Sequence, residues 1–103
     1  MRLYLVTDDG RPVWVAALAH EHMYSYVANT RMFHDNNALR NDFYIERDFR
    51  YEPIGIAEAR RLIDAGVGTL DEAEDSEVLA EWRSDSNALA ADDVLSMAAG
   101  FDE

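Results

Sequence analysis

The chain contains no cysteine and no lysine, and only two prolines and five glycines in 103 residues. Without cysteine there is no disulfide, no thiolate metal site and no cysteine nucleophile. Without lysine there is no Schiff base, no lysine general base and no Walker-type phosphate loop. No apolar run approaches the ~20 residues that span a bilayer. The N-terminus shows no secretory signal pattern, so the expected setting is the cytoplasm. Glycine placement excludes more: Gly66 and Gly68 follow a helical segment rather than a strand, which fails the dinucleotide fingerprint. No serine sits in a GxSxG elbow.

What is present is acid. Twenty-one Asp and Glu residues against nine arginines give a net charge of −12. Residues 1–53 hold eight acids and six arginines, whereas 54–103 hold thirteen acids and three arginines. One half is close to neutral and the other strongly negative. Such a field repels phosphate backbones and speeds encounter with cationic surfaces. The chain has no basic stripe, so direct nucleic-acid binding is not expected. The missing lysine, with abundant Ala, Asp and Arg, is also what GC-rich coding produces.

The length allows one domain over 1–103. Arg2–Thr7 reads as a strand covered on both faces, Asp9-Gly10 as a hairpin turn, and Val13–Ala17 as the return strand. Val15, Leu18, Ala19, His22, Met23, Tyr26 and Val27 recur at helical spacing, which predicts a helix over Ala17–Thr30. Phe33–Arg40 is turn-rich and reads as a loop with room for one helical turn. Phe43, Ile45, Arg47, Phe49 and Tyr51 alternate with Tyr44, Glu46, Asp48, Arg50 and Glu52, which predicts a half-buried third strand ended by Pro53. Ile56, Ala59, Leu62 and Ile63 stripe a helix that stops before Gly66. Val78, Leu79 and Trp82 give a short helical face capped by Asp75 or Ser76, and Asp92 or Asp93 opens a last helix ending at Gly100. The expected fold is α+β: a three-stranded antiparallel sheet, one packed helix and a helical acidic C-terminal half.

Three clusters carry potential chemistry. His20-Glu21-His22 with His34-Asp35 has the residue types of a metal site. On the expected helix, however, His20 and His22 do not share a face, so His22 reads as a core or interface histidine. No metal and no cofactor are expected. The acids from Asp71 to Glu77 fail the calcium-loop test, because Ala73 stands at the third ligand position and no glycine at the sixth. Arg31, His34, Arg40, Asn41 and Tyr44 group around the expected exposed loop, where histidine would be the acid or base. The simpler alternative pairs Arg31 and Arg40 with Asp35 and Asp42.

The stretch Tyr26-Val27-Ala28-Asn29-Thr30 through Phe33-His34, then Asp42-Phe43-Tyr44, Glu52-Pro53-Ile54 and Glu58-Ala59-Arg60-Arg61-Leu62-Ile63, covers about the first two thirds of the chain. It resembles short proteins of GC-rich bacteria and their phages that have no established activity. The resemblance implies a phage or mobile-element context and transfers no site residues.

The sequence therefore reads as a small acidic interaction module, an adaptor or inhibitor that binds a basic protein surface and does no catalysis. Asp71, Glu72, Glu74, Asp75, Glu77 and Glu81 form its electrostatic face. Trp82 is the expected apolar anchor, and Tyr44 a further contact. Carboxylates along a helix would imitate a nucleic-acid phosphate row. The alternatives are a phosphodiester-active or nucleotide-binding enzyme using Arg31, His34, Arg40 and Tyr44, and a self-assembling structural subunit.

Overall fold

Asp9 and Gly10 both hold positive φ (51° and 79°), as the two central positions of a type I′ turn require. They close the expected hairpin between β1 (Arg2–Asp8) and β2 (Arg11–Ala19), paired from Arg2↔Leu18 to Asp8↔Arg11. The computed structural model describes residues 1–101, with side chains through residue 98. Both alternations of β1 are covered: Leu3 joins one core, while Tyr4 and Val6 join the other.

The helix expected over 17–30 is instead a second hairpin. β2 runs on to Ala19, turns at His20 and Glu21, and returns as β3 (His22–Val27). His20 and Glu21 hold φ of 50° and 69° without the Gly or Asn that usually marks such a turn. These are central strands buried on both faces, so the polar–apolar alternation that would identify them is lost. Val15 and Ala17 enter one core, Ala16 and Met23 the other. His22, expected on an apolar face, is exposed at the start of β3 and lies 3.7 Å from the Asp35 carboxylate.

The stretch expected as a loop with one helical turn forms a strand, β4 (Met32–Asp35), followed by that short helix, α1 (Asn37–Asn41). Asn36 caps α1 by accepting from the Leu39 amide at 3.0 Å, and its side-chain amide donates to buried Ser25 Oγ at 3.1 Å. The first part of the predicted third strand is instead a π-helical turn, Asp42–Glu46. The Arg47 amide donates to the Asp42 carbonyl at 2.6 Å, and Arg47 itself is left-handed at φ 57°. Asp42 is the physical reason. Its carboxylate accepts from the Asp48 amide (2.9 Å), the Phe49 amide (3.2 Å) and the Tyr51 hydroxyl (2.7 Å), so the chain wraps around it. Only Arg50–Ile54 remains extended, as β5.

The sheet therefore has six strands rather than three, antiparallel throughout, in the order β5-β1-β2-β3-β4-β6. Both edges resist further pairing. β5 carries Pro53, which belongs on an edge because it donates no ladder bond, and β6 (Leu89–Ala90) is only two residues long.

Helices cover both faces. α2 (Ile56–Asp64) and α4 (Ala91–Phe101) lie on the first, burying Ala59, Leu62, Val94, Leu95 and Ala98 around Phe33 and Tyr26. α2 matches its expected span, and Gly66 follows it at φ 90° as its left-handed stop. The second face carries α1 and the π-helical turn, where the Tyr4, Phe43 and Tyr51 rings meet at 5.0 to 6.4 Å. α3 (Ser76–Arg83) reaches this face through Trp82, with Leu79 fully buried. The α+β class and the helical C-terminal region stand. Among the described residues, no helix is long and apolar enough to cross a membrane.

Candidate functional site

The acidic segment is anchored by the hairpin turn between β3 and β4, through Asn29. Asn29 Oδ1 accepts from the Leu70 amide (2.8 Å), while Nδ2 donates to the Leu70 carbonyl (3.0 Å) and to Glu72 Oε2 (2.8 Å). Glu72 in turn receives Arg83 at 2.9 and 2.7 Å, which ties the segment to the end of α3. Arg83 and Asn29 together hold the Glu72 carboxyl below the usual range. The preceding loop is seated by Gly68, at φ 96°, whose carbonyl accepts from the Ala28 amide at 3.1 Å. A Cβ at Gly68 would stand 2.3 Å from the Tyr26 carbonyl oxygen, so no other residue fits.

α3 is held from beneath by a buried histidine. His34 projects from β4 beside Ser25, is 1% exposed, and stacks on Trp82 with centroids 5.4 Å apart. Trp82 also sets its edge against Trp14 at 6.1 Å. His34 Nδ1 lies 3.0 Å from Asp85 Oδ2, and Nε2 lies 2.7 Å from Thr30 Oγ1. A carboxylate only accepts, so Nδ1 carries the proton toward Asp85, leaving Nε2 to accept the Thr30 hydroxyl proton in the neutral ring. His34 holds the Asp85 carboxyl below its ordinary value, against a smaller upward push from burial.

Thr30, His34 and Asp85 thus stand in the order of a catalytic triad, yet the surroundings are those of a clamp. The Thr30 hydroxyl also lies 3.2 Å from the Val27 carbonyl and accepts from the Met32 amide at 3.3 Å. The Thr30 and Arg31 amides are already bonded to Val27, so neither is available as an oxyanion donor there. The exposed loop expected to carry an enzymatic cluster is likewise taken apart. His34 is a core residue, Arg31 is a left-handed turn residue, and Arg40 donates to the Glu21 carbonyl while lying 5.6 Å over the Tyr44 ring. Asp35 and Asp42, the suggested partners of the arginines, are engaged by His22 and by the Asp48–Tyr51 donors.

The expected interaction residues divide. Asp71 caps its own turn, accepting from the Ala73 and Glu74 amides at 2.8 and 2.9 Å. Glu72 is paired, Asp75 is half-buried, and neither Asp75 nor Ser76 contributes the expected cap bond to α3. Trp82 is half-buried and packs on His34 and Trp14, so its ring helps hold α3. Glu74, Glu77 and Glu81 remain exposed, and among the described residues none of them is in an ion pair. Tyr44 is 48% exposed on the π-helical turn, beside Ile45 at 74%. Asn29 and Asp85 escaped the sequence reading. Asp85 carried a local signal, since its Oδ1 accepts from the Asn87 amide at 2.9 Å as an Asx turn does, but its partner lies 51 residues away.

Comparison with protein-family models, with curated proteins and with solved structures returns no match to this chain.

Proposed function

We propose that this protein is an acidic interaction module that binds a basic protein surface through the outer face of α3. The observation that carries this reading is the contrast within one segment. Asp71, Glu72 and Asp85 are consumed in fixing the segment, whereas Glu74, Glu77 and Glu81 face solvent without a cation. Glu77 and Glu81 are one helical turn apart and share a face. Their support is held on the opposite side, where Leu79 is fully buried and Trp82 stacks on His34 of β4. A helix already held in place loses little backbone entropy on docking, which favours a recognition role over simple solubility.

Spacing favours one of two forms of the idea. Along a helix, Glu77 and Glu81 are separated by ~6 Å of rise. One strand of a DNA duplex presents a charge every ~3.4 Å of axis, so this two-residue row is nearly twofold sparser than a single phosphate row. The reading therefore favours a docking face for arginine or lysine side chains of a protein over imitation of a phosphate row.

The test is the salt dependence of binding to the partner recovered from the source cells. Replacing Glu74, Glu77 and Glu81 together by glutamine weakens binding and flattens that dependence under this reading. Equal affinity and equal slope in the triple variant would remove it.

A further inference from the structure

Between the β1–β2 hairpin and the π-helical turn lies an open cleft of about 530 Å³. Its lining includes Trp14, Leu39 and Phe49 as apolar surface and Asp8, Glu46 and Asp48 as carboxylates. No arginine or histidine lines it. Arg47, the nearest cation in sequence, is turned away onto the Phe43 and Tyr51 rings at 4.8 and 5.6 Å. Asp42 also borders the cleft, but its three donors already satisfy it. Asp8, Glu46 and Asp48 enter no ion pair among the described residues. The cleft thus joins an aromatic lining to uncompensated negative charge.

We infer that this cleft receives an arginine side chain of the basic partner. A guanidinium is planar and weakly hydrated, so it lies against aromatic faces while its N–H fork reaches carboxylates. The compact, strongly hydrated lysine ammonium uses the aromatic surface less well. A neutral or anionic side chain would leave the carboxylates facing one another unrelieved. The cleft is also built to hold its shape: the Asp42 bonds to Asp48, Phe49 and Tyr51 fix one wall, and the Asp9-Gly10 turn closes the hairpin that forms the other. This inference rests on the partner being a basic protein, but on a different surface from α3.

Two probes separate the surfaces. Capped arginine (the acetylated, amidated amino acid) and an octa-arginine peptide are titrated into the whole protein, and amide and indole shifts are followed by NMR. Capped arginine is expected to move Trp14 and the 46–49 amides, and capped lysine to move them less. The double variant Glu46→Gln, Asp48→Asn then weakens that response about fivefold, as loss of one or two solvent-facing ion pairs does. Glu77→Gln with Glu81→Gln leaves it unchanged. Both pairs of side chains are exposed, so each variant keeps the fold. Shifts confined to α3 would overturn the cleft while leaving the basic-partner reading intact. An octa-arginine peptide that moves neither surface would overturn both.

Discussion

The His34 ring lies nearly flat on the Trp82 indole, with planes 20° apart and centroids 5.4 Å apart. Through this contact, β4 in the sheet fixes the helix that carries the exposed acids. The Asp85 bond closes the same clamp from the loop after α3. His34 was expected in an exposed loop, where its loss would leave stability nearly unchanged; its burial reverses that expectation.

His34→Ala is expected to cost about 3 kcal/mol, because it opens a cavity under Trp82 and strips Asp85 of its donor. Glu77→Gln is expected to change stability by less than about 0.5 kcal/mol. Urea unfolding of the two variants checks the pair, and equal midpoints would show that His34 does not hold the fold.

The Asp42 carboxyl gives the turn before β5 its shape. Burial alone would raise its pKa, but the Tyr51 hydroxyl, the Asp48 and Phe49 amides and Arg47 outweigh it and hold it below the usual range. Tyr51→Phe removes one of those donors and is expected to cost about 1.5 kcal/mol. Chemical denaturation checks the loss, and proton shifts of residues 42–49 report whether the π-helical turn survives.

Asp42 and Asp85 are both depressed carboxyls, so each binds its proton more weakly folded than unfolded. Their stabilisation is full above the unfolded pKa of about 4 and is lost as pH falls through their lower folded values. Thermal midpoints are therefore expected to drop below about pH 4. Asp85→Asn should make that drop shallower; an unaltered acid limb would mean that Asp85 does not contribute to it.

Gly68→Ala is expected to cost roughly 3 kcal/mol or more, because the added methyl meets the Tyr26 carbonyl in a left-handed conformation. Gly10 is also left-handed, but nothing lies within 4 Å of an added Cβ there. Gly10→Ala should therefore cost only about 1 kcal/mol, the conformational penalty alone. Comparable losses at the two sites would argue against the close approach of the 66–70 loop to β3.

The N-terminal hairpin and α2 were legible because their punctuation is local: Asp9-Gly10 in one, Gly66 in the other. β3 was not. His20 and Glu21 do not announce a turn, and a strand buried on both faces has no alternation to read. Residues 43–51 alternate like a strand, yet one buried carboxylate that accepts three hydrogen bonds redirects them. The acidic segment was visible as charge, but its division into structural and free acids depends on Asn29 and Arg83. Those partners lie 43 and 11 residues from Glu72, beyond any local pattern.

The central claim, that the outer face of α3 recognises a basic protein, is tested most directly by paired capture from the source cells. Wild type and the triple variant Glu74→Gln, Glu77→Gln, Glu81→Gln serve as baits, eluted by a salt gradient and analysed by mass spectrometry. The account predicts a basic protein that wild type retains to moderate salt and the triple variant releases early or fails to hold. The same proteins eluting at the same salt from both baits would contradict it.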